Sequence, residues 1–300
     1  EVKIRKLLDM DIAPLAYANR PENKIIETQP DGRKITEDIW GSRYVQGGHS
    51  TEQIAWPIKD IEDVYRYEFP ALDSFRNHTI SQWKQDTDFF VFAQLDGGFN
   101  GVYPLFGLTE FLMYSATNPE DIKFFINKTI DYWLELAKII LKAEPDGILI
   151  GDDMAYNTAT MMSPESLREL VFPAMKREVR TLKKMSGGLP VFLHSDGNLN
   201  AVLDDIVDIG FDGLQSLQPS AAMDIGKIKA EYGDRLCLMG NVDLNYLLPF
   251  GTPREVKNEV RRLIELCGRD GGYILSSCNI LTKDVPPENA LAMYQAASGL

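Results

Sequence analysis

The sequence predicts a (β/α)8 barrel of the TIM type. Three observations carry that expectation. From about residue 89 onward, short apolar runs alternate with helical patterns, which makes parallel strands joined by right-handed crossovers. The runs are apolar throughout rather than every second residue, as strands buried on both faces must be. No GxGxxG follows any of them, which sets aside the rival open, doubly wound sheet. A chain of 300 residues, 44% of them hydrophobic, suits one barrel-sized domain spanning residues 1–300.

In chain order, strands are expected at 12–17, 89–95, 146–151, 190–194, 211–217, 235–240 and 272–277. An eighth is expected upstream of Glu1, because the opening reads as the middle of a longer sequence. The helices between them carry recognisable ends. Asn118 precedes Pro119, Glu120 and Asp121, an N-cap followed by proline at the first helical position and acids in the first turn. Ile122, Phe125, Ile126, Thr129, Trp133, Ala137 and Ile140 then fall on one face. Ser163-Pro164-Glu165 opens a helix running to about Met185. Helices are also expected at 201–209, around 225–232 and at 287–297. Thr252 and Glu255 form a capping box, and Gly268 closes that helix. The stretch at about 19–72 is polar and rich in Pro and Gly. It reads as a long insertion folded over one barrel end.

Composition narrows the partners. Lys plus Arg number 31 against 44 Asp plus Glu, a formal net charge of -13. Such a chain repels phosphate backbones and anionic lipid, so neither nucleic acid nor a membrane surface is expected. No apolar run approaches the roughly 20 residues that cross a bilayer. Cys237, Cys267 and Cys278 are odd in number and widely spaced, which fits a reducing cytoplasm rather than a disulfide framework. The opening residues show no signal-peptide pattern, and a cytoplasmic location is expected.

Barrel chemistry sits at the carboxyl ends of the strands. There the sequence places Asp96-Gly97-Gly98-Phe99, Asp152-Asp153, His194 through Asn198, Gln215 through Gln218, Gly240 through Asp243, and Ser276 through Asn279. His194 is one of three histidines, with His49 and His78, and it ends a strand. Cys278 ends the last one. Imidazole and thiolate are preferred zinc ligands, and Asp196 offers a third. The alternative is a hydrogen-bonded histidine and an inert thiol. Asp152 or Asp153 is expected to act in catalysis, since two adjacent carboxylates cannot both enter an apolar cavity without partners. Asn241 is a further site candidate, though Asn241 and Asp243 suit ordering their own loop. Asp96, Phe99, Tyr156, Gln215 and Gln218 are expected to line the substrate site. Cys237 and Cys267 read as core thiols.

These motifs, in this order, resemble the uroporphyrinogen decarboxylase superfamily. Leu238-Met239-Gly240-Asn241-Val242-Asp243 is similar to its Gly-Asn-hydrophobic-Asp loop. Ser163-Pro164-Glu165 through Pro173, and Asp284-Val285-Pro286-Pro287-Glu288-Asn289, match as well. The resemblance spans most of the chain from Lys3 onward and implies the TIM-barrel fold. It implies one of two chemistries: cofactor-free decarboxylation of porphyrinogen acetates, or zinc-dependent methyl transfer to or from a corrinoid on a partner protein. Thiol-loading methyltransferases of the family carry a His-x-Cys motif and a later Cys. His194 and Cys278 match, while the harder carboxylate of Asp196 stands at the middle position. That departure resembles the corrinoid-dependent demethylases of methyl ethers, with His194, Asp196 and Cys278 as implied zinc ligands. The decarboxylases' Gly-His near the last strand appears here as Cys278-Asn279. A non-catalytic corrinoid or tetrapyrrole binder is the third expectation.

Overall fold

The structure, a computed structural model, describes residues 2–13, 16–17, 21–47, 50–76 and 78–298. Its strands are β1 (Ala16–Tyr17), β2 (Lys24–Thr28), β3 (Lys34–Glu37), β4 (Arg43–Gly47), β5 (Ser50–Ala55), β6 (Phe92–Asp96), β7 (Gly147–Gly151), β8 (Val191–Ser195), β9 (Gly213–Ser216), β10 (Cys237–Val242) and β11 (Tyr273–Ser277). Seven of them form one sheet in the order β1-β6-β7-β8-β9-β10-β11, every neighbour parallel. Helices follow β6 through β11, so the fold is a TIM barrel. The strand expected at 12–17 appears as β1 plus a parallel bridge between Ile12 and Phe90; Pro14 and Leu15 lie outside the described residues.

The barrel interior explains where the chemistry stands. Phe92, Leu149, Phe192 and Met239, on β6, β7, β8 and β10, pack into a cluster of their own with Ile12, Phe90 and Ile274. Gly147 is in register with Phe92, and Gly213 with Phe192. A Cβ at either glycine would collide with the neighbouring ring, so these glycines make room for an aromatic floor. Side chains alternate between faces along a strand. Two residues beyond Phe92 and Phe192, on the same face, come Gln94 and His194, and two beyond Gly213 comes Gln215. An apolar floor thus carries a polar layer toward the carboxyl mouth.

The outer helices follow the sequence pattern with one correction. In Pro119–Ile140, every residue expected on the apolar face is buried. The capping box of Thr252 and Glu255 is present, Asp224 caps Ile225–Tyr232, and Gly268 ends Pro253–Cys267. The helix expected from Ser163 to Met185 is two helices, Pro164–Leu170 and Phe172–Met185. Pro173 has no N–H to bond back to the preceding turn, so the helix breaks at Val171. Residues 200–202 form a 3-10 turn before the helix Leu203–Ile209. Cys267 is buried; Cys237 is half-buried against the aromatic floor.

The insertion is more ordered than the sequence suggests. β2 to β5 form an antiparallel four-stranded sheet in sequential order; Asn19, Gly48 and His49 lie outside the described residues. It docks beside the helix Tyr103–Phe106, which follows the carboxyl end of β6. Ser42 Oγ and Gln53 Nε2 donate to the Pro104 carbonyl at 3.4 and 2.8 Å. Beneath it, the Trp40 ring meets Phe69, Phe75, Tyr132 and Trp133, with centroids 5.4 to 6.5 Å apart. Buried aromatic contacts of this kind anchor the sheet to the helix layer. No described helix is long and apolar enough to cross a membrane.

Candidate active site and metal centre

The mouth of the barrel gathers Asp153, His194 and Asp196. One ligand atom of each lies within 4.8 Å of the others. His194 Nε2 stands 3.6 Å from Asp153 Oδ1, with the His194 side chain 14% and the Asp153 side chain 37% exposed. The geometry is built from the backbone. Asp152 N–H donates to the His194 carbonyl at 2.8 Å, extending β7 against β8. Asp196 N–H donates to Asp153 Oδ1 at 2.8 Å, tying the two loops together. Gly197, at φ +88°, packs on the Ala155 carbonyl so closely that a Cβ would lie 2.6 Å from it.

Each donor has a supporting partner. The His194 Nδ1 edge meets Gln215 Oε1, and Gln215 Nε2 donates to the Cys278 carbonyl at 3.0 Å. With its amide nitrogen engaged there, Gln215 presents oxygen to the ring, so Nδ1 carries the hydrogen. In the neutral ring Nε2 is then an acceptor, and it faces the acceptor oxygen of Asp153. Two acceptors at that distance call for a positive centre between them, either a bound metal ion or the second proton of an imidazolium, and the two neighbouring carboxylates make this a donor set that fits a metal. Asp196 receives Ser216 Oγ on Oδ1 and Asn279 Nδ2, at 2.7 Å, on Oδ2. One imidazole and two carboxylates are a donor set that would suit zinc.

Cys278 stands apart from this group. Its side chain is buried and it does not fall among the donors within 4.8 Å. Burial pushes its thiol up to about 12, and the Asp243 carboxylate adds to the shift. Asp153, expected in catalysis, takes the place in the group that Cys278 was expected to hold.

Asp152 is turned inward and fully buried. Phe99 N–H and Asn100 N–H donate to its Oδ1 at 2.9 and 2.6 Å. Gly97 approaches so closely that a Cβ there would lie 2.5 Å from Asp152 Cγ. The carboxyl thus organises the loop after β6. Burial raises its pKa to about 8 against the pull of those two N–H groups, with Asp153 and Asp96 adding to the rise. Its Oδ2 has no partner among the described residues.

The remaining expected residues have other surroundings. Asn241 Nδ2 donates to the Leu217 and Met223 carbonyls, and Asp243 Oδ2 accepts from Tyr246 and Leu247 N–H at 2.6 and 2.9 Å. Both order loops. Gln215 has both ends of its amide bound to protein, so it is not free for substrate. Phe99 is fully buried against Tyr103 and Phe111. Gln218 accepts from Gly197 N–H at 3.2 Å and donates to Ser220 Oγ at 2.8 Å. Tyr156 is 52% exposed beside the mouth, and Asp96 ends β6 in register with Gly151.

Several residues were not singled out from the sequence. Ser216 and Asn279 lie within the strand-end segments, and position alone could have marked them. Glu178 breaks the apolar stripe of Phe172–Met185, between Met175 and Leu182, which is a readable signal. It is fully buried, neither carboxyl oxygen has a partner among the described residues, and burial holds its pKa well above the ordinary range, with Asp152 and Asp96 contributing. Tyr103 carries no sequence signal. Burial raises its phenol, and the carboxylates of Asp153, Asp152 and Asp96 add to that.

The family model for uroporphyrinogen decarboxylase (URO-D) matches residues 53–300. The uroporphyrinogen decarboxylase of Pelodictyon phaeoclathratiforme is 31% identical over 152 residues, covering 50% of this chain and 40% of the relative. That of Chlorobium phaeobacteroides is 26% identical over 203 residues, covering 67% of this chain and 53% of the relative. The chain spans about half the length of these curated relatives. A methyltransferase from Methanosarcina mazei superposes with a TM-score of 0.75 at 20% identity, covering 99% of this chain and 83% of that one. At that identity the likeness shows the fold.

Proposed function

The chain belongs to the uroporphyrinogen decarboxylase family, and from that premise we propose a zinc-dependent methyltransferase. It moves a methyl group between a small donor, such as a methyl ether, or a thiol, and a corrinoid carried on a partner protein. The observation that supports this reading is the group of Asp153, His194 and Asp196, whose bare imidazole nitrogen faces a carboxylate. Those three residues would hold the ion. When bound, zinc polarises a methyl-bearing oxygen or lowers the pKa of a thiol.

The chain's own part is positioning. Asp152 fixes the loop after β6 through the Phe99 and Asn100 amides. Ser216 and Asn279 hold Asp196 in place. Direct methyl displacement needs aligned atoms, and proximity is the main contribution expected of these groups. A cytoplasmic location belongs to the same reading, supported by three free cysteines.

Decarboxylation of a tetrapyrrole is the second reading, favoured by the names of the curated relatives. Against it stand Asp96, Asp153 and Asp196 at the strand ends, where the sequence offers no Arg or Lys to neutralise a poly-acidic substrate. The test is to incubate full-length protein with uroporphyrinogen, and separately with methyl ethers, zinc and a reduced corrinoid protein. Methyl-corrinoid formation in the second assay, with no carbon dioxide in the first, is the expected result. Zinc-independent decarboxylation overturns the proposal.

A further inference from the structure

We infer that Gln215 and Ser216, consecutive residues at the end of β9, are the positioning pair of this centre: Gln215 fixes the ring tautomer of His194, and Ser216 fixes the carboxylate of Asp196. The inference rests on the metal reading above and deepens it.

Consecutive residues of a strand point to opposite faces. Gln215 and Ser216 nevertheless serve two donors of one cluster, which requires the strand to depart from regular geometry between them. It does so. Ser216 has φ +97° and Leu217 has φ +54°, left-handed values that non-glycine residues seldom adopt. The neighbouring strand makes room at the same level. Gly240 is in register with Ser216 and has φ +120°, and a Cβ on it would lie 2.5 Å from the Ser216 carbonyl oxygen. Strain of this kind persists where the surroundings over-determine it, and it gathers at functional sites. Ser216 is fully buried, its hydroxyl bonded to Asp196 Oδ1.

Gln215 is held as firmly. It is 7% exposed and lies in register with His194 across β8 and β9. Its Nε2 donates to the Cys278 carbonyl, which orients the amide so that Oε1 receives the His194 Nδ1 hydrogen. Nε2 of the ring is left free toward Asp153. Asn279, beside Cys278, holds the other oxygen of Asp196. Thus β9 fixes one side of both donors, and the chain leaving β11 locks the arrangement. Cys278 contributes its backbone carbonyl here rather than its thiol.

The test has a readout that does not depend on metal. Histidine is labelled with 15N, the full-length protein is stripped with a chelator, and the nitrogen shifts of His194 are recorded. The expected wild-type spectrum is the Nδ1–H tautomer. Gln215→Leu should release the ring into a mixture of tautomers. In competition with a chelator of known affinity, it should weaken Zn2+ binding by roughly ten- to a hundredfold. Gln215→Glu keeps an acceptor at Nδ1 and should retain the tautomer and bind Zn2+ within a few-fold of wild type. Ser216→Ala and Ser216→Gly should both weaken Zn2+ by about tenfold, leaving the His194 tautomer unchanged; the glycine variant tolerates the positive φ and guards against misfolding. A wild-type ring in the Nε2–H form overturns the inference. So does a folded Gln215→Leu protein with unchanged tautomer and affinity. A wild-type protein that shows the Nδ1–H form yet binds no Zn2+ contradicts the metal reading instead, and leaves the tautomer assignment standing.

Discussion

The ends of β7, β8 and β9 and the ends of β10 and β11 look alike in sequence, yet they do different work. Both regions place carboxylates, amides and ligand-type side chains just beyond apolar strands. Around β8, Asp153, His194 and Asp196 turn toward one another, and the supporting partners of His194 and Asp196 are other side chains. Around β10 and β11, Asn241 is engaged by backbone carbonyls of the loop after β9, Asp243 by backbone N–H groups of its own loop, and the Cys278 thiol is buried. Residue type and strand-end position nominate a site residue. Whether nearby backbone groups already claim its polar atoms decides if it is available for chemistry.

The largest effect should come from the first region. His194→Ala and Asp196→Ala should each lower methyl-transfer kcat/KM by at least about a hundredfold, because removing one of three ligands leaves an unstable metal site. Steady-state kinetics at saturating zinc would check this, and near-wild-type rates would dissolve the distinction between the regions. Next, Asn241→Ala should cost roughly 1–3 kcal/mol in urea unfolding, since two buried carbonyls lose their donor. Its zinc content should stay that of wild type. Loss of zinc without loss of stability would place Asn241 in the site rather than beneath it.

The acids behind the site sharpen the contrast through pH. Glu178 has a folded pKa raised well above its ordinary 4.5, by burial first. A raised folded pKa means that the native state holds the proton longer. Its contribution to stability is therefore full below about the ordinary value and is lost as pH rises toward the folded one. Asp152 behaves likewise between 3.8 and about 8. Each group adds a slope of at most about 1.4 kcal/mol per pH unit within its window. Glu178→Gln should flatten the decline in unfolding free energy from pH 5 to pH 8, and an unchanged slope would show that its carboxyl is solvated. The smallest effect is expected of Asp243→Asn. An amide oxygen can still accept from Tyr246 and Leu247 N–H, so thermal stability should fall by about 1 kcal/mol or less, with zinc unchanged.

Much of the barrel was legible because burial on both faces writes itself into continuous apolar runs, and because Pro, Asn, Thr and Gly mark helix ends. The sheet of β2 to β5 was not. β2, Lys24–Thr28, is exposed along its whole length and presents no apolar face for periodicity to find. The break at Val171 was foreshadowed by Pro173 but overridden by the regular spacing around it. In the site, His194 and Asp196 could be read from strand-end position. Asp153 could not be told from Asp152, because which of two adjacent carboxylates turns inward depends on the Phe99 and Asn100 amides from another strand's loop. Nor could the burial of the Cys278 thiol be read, since a thiol at a strand end looks the same in sequence whether it faces a metal or the core.

The proposed zinc centre has Asp153, and not Cys278, as its third donor. The zinc content of Asp153→Asn and Cys278→Ser proteins, measured per chain against wild type after identical purification, tests it directly. Asp153→Asn should lose most of the metal while Cys278→Ser keeps close to one zinc per chain. The reverse pattern would contradict the account.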